Sequence, residues 1–208
     1  MAPKRVDKSA KRTDITTAAA LVFAEKGFQG ASVSDIAEAA GVSKGSLYSY
    51  FNNKEDLFYA TFQAYQAELL QQCQEAITAA PSASTKIHAL LTLTMASLRD
   101  NIALFPLTLE LWAAASSGAA RERFAEVMES VYQEFRQLMT ALIEAGKTDG
   151  EFTQDIDANA MAAWLVGGLD GLMLQFWFDQ SLPIEQMAEQ FMQTLLTGMG
   201  QRPTGAST

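Results

Sequence analysis

Two short helical segments joined by a glycine turn constrain this chain more than any other feature of its sequence. The first segment, SVSDIAEAA over residues 32–40, carries Ser32 and Asp35 at the spacing of a capping box and ends at Gly41. Ser43 is placed to cap a second helix over about residues 44–50. Two short helices joined by such a turn form the helix-turn-helix pattern, so the sequence predicts that motif here.

The second helix of the motif combines an apolar face with a face of small polar residues. At about 100° per residue, Leu47 and Phe51 fall on the apolar face. The opposite face and its flanks consist of Gly45, Ser46, Ser49, Tyr48 and Tyr50. Small side chains let a helix backbone approach base edges in the DNA major groove, while hydroxyl groups and lysines reach phosphates. Taken singly, each tyrosine is more often a packing residue and Ser43 a simple cap, but their joint spacing favours contact with DNA.

The net charge of -9 argues against a nucleic-acid partner, but the distribution of charge reverses that inference. Residues 1–54 carry eight basic and five acidic side chains, a local charge of +3, whereas the remainder carries seven basic and nineteen acidic side chains, or -12. This asymmetry suggests a small basic domain that meets a polyanion and a large acidic body. Two charged faces of an ordinary protein would give the same totals, so charge alone leaves both interpretations open.

Apolar residues at helical spacing predict helices along the whole chain. One runs from about residue 9 to 26 and ends at Gly27, and another begins near Lys54 and continues to about residue 79. Further helices are expected over about 84–100, 102–115, 119–146, 155–180 and 184–199. The predicted fold class is therefore all-α, with an N-terminal three-helix helix-turn-helix domain and a larger helical domain.

A set of positions between residues 12 and 58 follows one recognisable pattern. It consists of Arg12, Ile15, Ala19, Phe23, Gly27, Phe28, Ile36 and Ala37, the run AGVSKGSLY at 40–48, Tyr50 and Phe51, and KEDL at 54–57. This pattern resembles the DNA-binding domain of TetR-type transcriptional repressors. The resemblance implies a DNA-binding domain over residues 1–58, in which about residues 1–9 form a basic disordered arm.

The resemblance also implies roles for single residues. Lys44, Gly45, Tyr48 and Ser49 are expected at or near base edges, and Ser32, Ser46, Tyr50 and Lys54 are expected to contact phosphates. Lys54 stands at a helix start, where exposed N–H groups and the positive end of the helix dipole also favour a phosphate. A homodimer would read a pseudo-palindromic operator in double-stranded DNA, with half-sites about 34 Å or a multiple of that apart. A small-molecule effector would release it.

Residues 59–208 form the predicted effector-binding and dimerisation domain, with a disordered tail over about 200–208. The segment 157–178 is apolar over most of its circumference, so a helix there has to be buried on two sides. Together with the last helix it is predicted to form half of a four-helix homodimer interface that includes Leu165, Gly168, Leu172, Phe191 and Leu195. A large monomeric core that ends with its most apolar helices is the alternative.

A mostly apolar effector is expected within this domain. The candidate lining is rich in methionine and aromatic residues, which suit an adaptable pocket: Phe105, Leu109, Trp112, Met128, Phe135, Trp164 and Met173, together with Phe124, Val131 and Phe176. A plain core would have the same composition. Glu110 and Asp170 are carboxylates within apolar helices, where burial is costly without a partner. Either they meet the polar end of an effector, or they are exposed or paired with Arg99, Arg121, Arg123 or Arg136.

Several other functions lack the residues they need. Cys73 and His88 are the only cysteine and histidine, which excludes an internal disulfide and a zinc cluster, and the sequence has no Gly-rich phosphate loop, HExxH or GxSxG motif. We therefore expect neither an enzyme nor a cofactor. The N-terminus lacks the pattern of a secretory signal, and the longest apolar stretch, 162–178, is interrupted by Asp170 and Gln175. A cytoplasmic protein without a membrane partner is expected.

Two further functions are compatible with parts of the sequence. A helical carrier of small molecules would explain the acidic body but would leave the basic N-terminus unexplained. DNA binding weakens steeply as salt rises and apolar ligand binding does not, so salt dependence distinguishes a carrier from a DNA-binding protein. A dimeric DNA-binding protein without a small-molecule effector is the second alternative, and the sequence leaves it open.

Overall fold

The computed structural model describes residues 8–116 and 121–200, and within these ranges its regular structure is helical apart from one isolated antiparallel bridge between Phe152 and Gly200. The helices are α1 (Lys8–Gly30), α2 (Val33–Ala39), α3 (Lys44–Tyr48), α4 (Lys54–Ala79), α5 (Ala83–Asp100), α6 (Phe105–Ser116), α7 (Arg121–Thr148), α8 (Ala158–Phe178) and α9 (Ile184–Met199). A 3-10 turn over Ile102–Leu104 precedes α6. The all-α fold class is confirmed.

The predicted helix boundaries agree closely with the structure, and α4 and α9 begin and end at the expected residues. One difference lies at the N-terminus, where α1 begins at Lys8, so residues 8 and 9 of the predicted disordered arm are helical. The rest of that arm and residues 201–208 of the predicted tail lie outside the described residues.

The chain divides into two compact units. Among the described residues, the N-terminal unit comprises those up to Gln71 together with those within Asn101–Phe124, and the C-terminal unit comprises Gln72–Asp100 and those from Ala125 to Gly200. Helices α4 and α7 therefore each contribute residues to both units. The N-terminal unit extends beyond residues 1–58 because α6 packs against α1.

An aromatic cluster forms the core of the N-terminal unit. The ring of Phe58 meets the edge of Phe23 at a centroid distance of 5.0 Å, and it lies 5.0 Å from Phe28 and 5.8 Å from Phe124. Phe23 and Phe28 both reach this cluster across Gly27, whose φ of 70° favours glycine and interrupts the helical backbone at the predicted residue.

Gly27 also allows a close approach by α6. Oε1 of Glu110 lies 2.8 Å from the position that a Cβ atom on Gly27 would occupy. A side chain at residue 27 would therefore strain the backbone and displace the Glu110 carboxylate.

Local capping explains why the helix-turn-helix residues form α2 and α3. The Ser32 hydroxyl accepts a hydrogen bond from the Asp35 N–H at 3.1 Å, and the Asp35 carboxylate accepts one from the Ser32 N–H at 2.8 Å, which completes the predicted capping box. Ser43 caps α3 by accepting from the Ser46 N–H at 3.1 Å. Leu47 is buried, as its predicted position on the apolar face requires.

In the C-terminal unit, α5 packs against α9. Nε2 of His88 lies 2.5 Å from Oε2 of Glu189, and an ion pair joins Arg99 to Glu185, so two polar contacts link these helices. The Glu189 carboxyl has a pKa below its ordinary value, chiefly because of its hydrogen bond to His88.

Glu151, in the loop after α7, caps the first turn of α5. Its carboxylate accepts hydrogen bonds from the Ala83 N–H at 2.8 Å, the Ser84 N–H at 3.1 Å and the Ser84 hydroxyl at 2.6 Å. Burial by itself would raise the pKa of this carboxyl, but the bonds from Ser84 and Ala83 outweigh burial and hold it below its ordinary value of 4.5. A carboxyl with a lowered folded-state pKa stabilises the fold above its unfolded pKa, and this contribution is lost as pH falls through the folded pKa.

Glu151→Ala is therefore expected to lower the free energy of unfolding by about 1 kcal/mol near neutral pH, since three donors at the start of α5 lose their acceptor. The difference from the unsubstituted protein should shrink below about pH 4. Urea unfolding near neutral pH and below about pH 4 measures this difference in the free energy of unfolding. Glu134→Ala is the control, because Glu134 is exposed. An equal difference at both pH values would contradict the capping role.

Helix α8 has an exposed apolar face. The exposed positions along it include Trp164 at 80%, Phe178 at 78%, and Gly167, Gly168 and Gly171 between them. By length and composition alone α8 is apolar enough to cross a membrane, but core helices of soluble proteins meet the same test and a single such helix is weak evidence. Phe191 on α9 is also exposed, by 53%. Apolar surface of this kind commonly marks a contact surface.

Candidate nucleic-acid interface and effector-binding residues

The outward face of α3 carries most of the predicted DNA-contact residues. Lys44, Gly45 and Ser49 are exposed, Tyr48 is 46% exposed, and Ser46 and Tyr50 are partly exposed. No atom of the described residues, apart from those of α3 itself, lies within 4 Å of the position where a Cβ of Gly45 would stand. Because Leu47 is buried on the other side, α3 presents small side chains and open backbone outward.

Two predicted contact residues already use their hydroxyl protons. The Ser49 hydroxyl donates to the Ser46 carbonyl oxygen at 2.6 Å, and the Ser32 hydroxyl donates to the Asp35 carboxylate at 2.6 Å. A phosphate only accepts hydrogen bonds, so the Ser32 hydroxyl would have to give up its bond to the Asp35 carboxylate to donate to one. Ser49 keeps free lone pairs, with which it can accept a hydrogen bond from a base edge.

The capping carboxylate of α2 is held ionised. Nζ of Lys26 lies 2.9 Å from Oδ1 of Asp35. Hydrogen bonds from Lys26 and then from Ser32 hold the pKa of Asp35 well below its usual range. The capping box therefore stays intact through the physiological pH range.

Lys54 occupies a structural position that the sequence did not reveal. Its Nζ donates to the carbonyl oxygens of Phe28 at 2.7 Å and Ala31 at 3.1 Å and lies 4.5 Å from the centroid of the Phe28 ring. Carbonyl groups at a helix C-terminus lack intrahelical donors and attract cations. Lys54 thus joins the end of α1 to the start of α4, and a phosphate would compete with these carbonyls for its ammonium group.

Two arginines contact the segment around the end of α3. Arg12 donates to the carbonyl oxygen of Tyr50 at 3.4 Å and lies 4.6 Å from the centroid of the Phe51 ring. Arg123 donates to Asp56 at 2.8 Å. From the sequence, Arg123 was expected only as a possible partner for Glu110 or Asp170. No local pattern links Arg123 to Asp56, which lies 67 positions earlier in the chain.

The candidate effector-binding residues are divided between the two units. Phe105, Leu109, Glu110 and Trp112 lie on α6 in the N-terminal unit, and Met128, Phe135, Trp164, Asp170 and Met173 lie on α7 and α8 in the C-terminal unit. The indole Nε1 of Trp112 is buried and has no hydrogen-bond partner among the described residues. Such a donor is the kind of group that a ligand or a water molecule satisfies.

The two candidate carboxylates have different surroundings. Oδ2 of Asp170 accepts a hydrogen bond from the Tyr132 hydroxyl at 2.7 Å; burial raises the pKa of Asp170, and this hydrogen bond opposes the shift. Glu110 lies against Gly27. Of the expected arginine partners, Arg99 pairs instead with Glu185 and Arg123 with Asp56.

Two neighbouring residues of α8 have the opposite exposure to the one that the sequence predicted. Leu165, predicted at the dimer interface, is buried in the C-terminal unit, and Trp164, predicted to line the effector pocket, is on the outside. Adjacent residues on a helix point about 100° apart, and a helix that is apolar all round does not indicate which side faces the core. Of the other predicted interface residues, Gly168 and Phe191 are exposed, and Leu172 and Leu195 are partly buried.

A groove of about 310 Å³ lies between α5 and α9 in the C-terminal unit. It is lined by His88, Leu91, Thr92, Met95, Glu185, Gln186, Ala188, Glu189 and Met192, none of which was a candidate effector-binding residue. Within residues 8–116 and 121–200, no three His, Cys, Asp or Glu side chains are grouped so that they could hold a metal ion.

Two family profiles match the chain. Residues 15–61 match bacterial regulatory proteins of the tetR family, and residues 83–199 match the C-terminal region of BetI-type transcriptional repressors. The second match alone covers more than half of the chain.

Named relatives match over nearly their full length. The HTH-type transcriptional repressor KstR2 of Rhodococcus jostii is 28% identical over 192 residues, which cover 92% of each chain. The solved structure of the fatty acid degradation regulator FadR from Bacillus halodurans gives a TM-score of 0.77 at 29% identity and covers 90% of this chain and 98% of that one. FadR from Bacillus subtilis, solved in complex with stearoyl-CoA, gives a TM-score of 0.77 with the same coverage. Its sequence identity is 24%, so this likeness shows a shared fold alone.

Proposed function

This chain belongs to the tetR family of bacterial transcriptional regulators, and we propose that it is a repressor that binds a pseudo-palindromic operator as a homodimer and is released by a mostly apolar small molecule. The observation that carries this proposal is the outward face of α3, where Lys44 and Tyr48 flank open backbone at Gly45. A helix of this kind fits the major groove, because small residues bring its backbone close to base edges. We assign DNA binding to residues 1–58 and effector binding and dimerisation to residues 59–208.

We propose that a second copy of the chain covers the exposed apolar face of α8 and α9. Trp164, Phe178 and Phe191 would be costly to leave in water, and the exposed glycines between Trp164 and Phe178 allow another helix to approach closely. A two-fold axis through this face would pair it with itself and supply the two α3 helices that an inverted repeat requires.

The proposed effector is an apolar molecule with a polar end. One relative is named a fatty acid degradation regulator, and a structure of the same fold holds stearoyl-CoA, so long-chain acyl-CoA thioesters are the first class to test. The unpartnered Nε1 of Trp112, on α6 of the N-terminal unit, is the group we propose for a polar contact. An operator-binding regulator would act in the cytoplasm, which is the location we propose.

The test of operator binding uses the purified, folded protein to select bound duplexes from a random DNA pool. The selection is repeated at two salt concentrations. We expect an enriched inverted repeat whose binding weakens steeply with salt. The protein is first freed of bound ligand by unfolding and refolding. If it then enriched no DNA sequence, the proposal would be contradicted. Titration of the operator complex with palmitoyl-CoA then tests release, and tryptophan emission, to which Trp112 contributes, reports binding.

A further inference from the structure

We propose that Arg123, in the first turn of α7, is a positioning residue for operator binding that fixes the corner between α3 and α4 through Asp56. This inference rests on the proposed function, because operator affinity is its readout. All the residues that carry it belong to the N-terminal unit.

Asp56 connects this corner to α7 with both of its carboxylate oxygens. Oδ2 accepts hydrogen bonds from the side-chain amide of Asn52 at 2.7 Å and the Asn52 N–H at 3.4 Å, and Oδ1 accepts one from Arg123 at 2.8 Å. The Asp56 N–H donates to the side-chain oxygen of Asn53 at 2.7 Å, so Asn53 caps α4. The hydrogen bond from Arg123 is the largest cause of a pKa of Asp56 below its usual value, so the carboxylate is ionised at neutral pH.

Arg123 is itself held in place. Its guanidinium lies 4.4 Å from the centroid of the Tyr59 ring, one turn along α4 from Asp56. The next residue, Phe124, is buried against Phe58. The first turn of α7 is thus fixed to the first turns of α4 by an ion pair, a cation–π contact and an aromatic contact.

The corner matters because α3 is short. It spans only five residues, Lys44–Tyr48, so its direction depends on the segments at its two ends more than a long helix would. Arg12 contacts Tyr50 and Phe51 just after α3, and Asp56 holds Asn52, the next residue. Without Arg123, Asn52 would still bond Asp56, but Asp56 would lose its anchor outside this corner.

Helix α7 gives this contact a regulatory consequence. It begins in the N-terminal unit with Arg123 and Phe124 and continues through Met128 and Phe135, which are candidate effector-binding residues of the C-terminal unit. A change in the start of α7 would therefore act on Asp56 and Asn52 directly, in addition to any change that α4 transmits.

The test compares Arg123→Gln, Asp56→Asn and the double variant with the unsubstituted protein, using the selected operator. Arg121→Gln is the matched control, since it removes the same charge from an exposed position two residues earlier. We expect Arg123→Gln to weaken operator binding roughly tenfold, a change of about 1.4 kcal/mol. The double variant should bind no more weakly than the weaker single variant, because both changes remove one interaction.

Salt dependence separates a positioning role from a direct phosphate contact. Loss of one phosphate contact would reduce the slope of log affinity against log salt by about 0.9 per site, whereas a positioning residue should leave the slope unchanged. A reduced slope for Arg123→Gln, additive losses in the double variant, or affinity equal to that of Arg121→Gln would each overturn the inference. Failure of the unsubstituted protein to bind any operator would instead contradict the proposed function.

Discussion

Replacing Gly45 with alanine is expected to weaken operator binding about a hundredfold without loss of stability. We expect each added methyl group to cost about 1.5 kcal/mol where α3 meets a base edge, and a dimer carries two such groups. Among the described residues outside α3, the new Cβ meets no atom within 4 Å in the free protein, so the clash is expected only when DNA is bound. Alanine in place of glycine in an exposed helix contributes up to about 1 kcal/mol of stability, so a loss of binding would not come from unfolding.

The measurement is operator affinity by fluorescence anisotropy alongside thermal unfolding. Gly30→Ala is the control, because it makes the same substitution at an exposed position of α1, where the nearest atom to a new Cβ is 3.8 Å away. If Gly45→Ala bound the operator as tightly as Gly30→Ala does, the α3 backbone would not approach the bases at this point.

Phe191→Asp is expected to convert the protein to a monomer and to abolish specific operator binding. Phe191 is 53% exposed in the single chain, so aspartate there costs its own fold little. In a two-fold dimer the substitution buries two unpaired charges, and at roughly 2 kcal/mol or more for each it should weaken association about a thousandfold. Trp164→Asp, on the same proposed face of α8, should act in the same direction.

Sedimentation equilibrium of the two variants measures the association. Leu21→Asp is the control, because Leu21 is 60% exposed on α1, outside the proposed dimer face. A Phe191→Asp protein that remained dimeric while bound to its operator would mean that another surface joins the two copies.

The parts of the fold that depend on local interactions could be predicted from the sequence. The capping box of Ser32 and Asp35 and the end of the helical backbone at Gly27 each depend on residues within a few positions. The side chains of Leu47 and Phe51 likewise face the core as the helical period predicts.

The remainder depends on partners that are distant in the sequence. Lys54 was predicted to bind a phosphate, but carbonyl groups more than 20 residues earlier surround its ammonium group. Asp170 bonds Tyr132 and Arg123 bonds Asp56, pairs separated by 38 and 67 residues. Trp164 and Leu165 exchanged their expected environments because α8 is apolar on every side and its sequence carries no period from which to choose.

The inclusion of Asn101–Phe124 in the N-terminal unit limits how this protein can be recombined with its relatives. A chimaeric regulator joined at residue 58 would set a foreign α1 against this chain's Glu110 and a foreign α4 start against its Arg123. Such a graft would keep its contacts only if the donor supplied glycine at position 27 and aspartate at position 56. We therefore expect substitutions within the proposed DNA-contact residues Lys44–Ser49 to change operator specificity with less disruption than a transplant of the whole N-terminal segment.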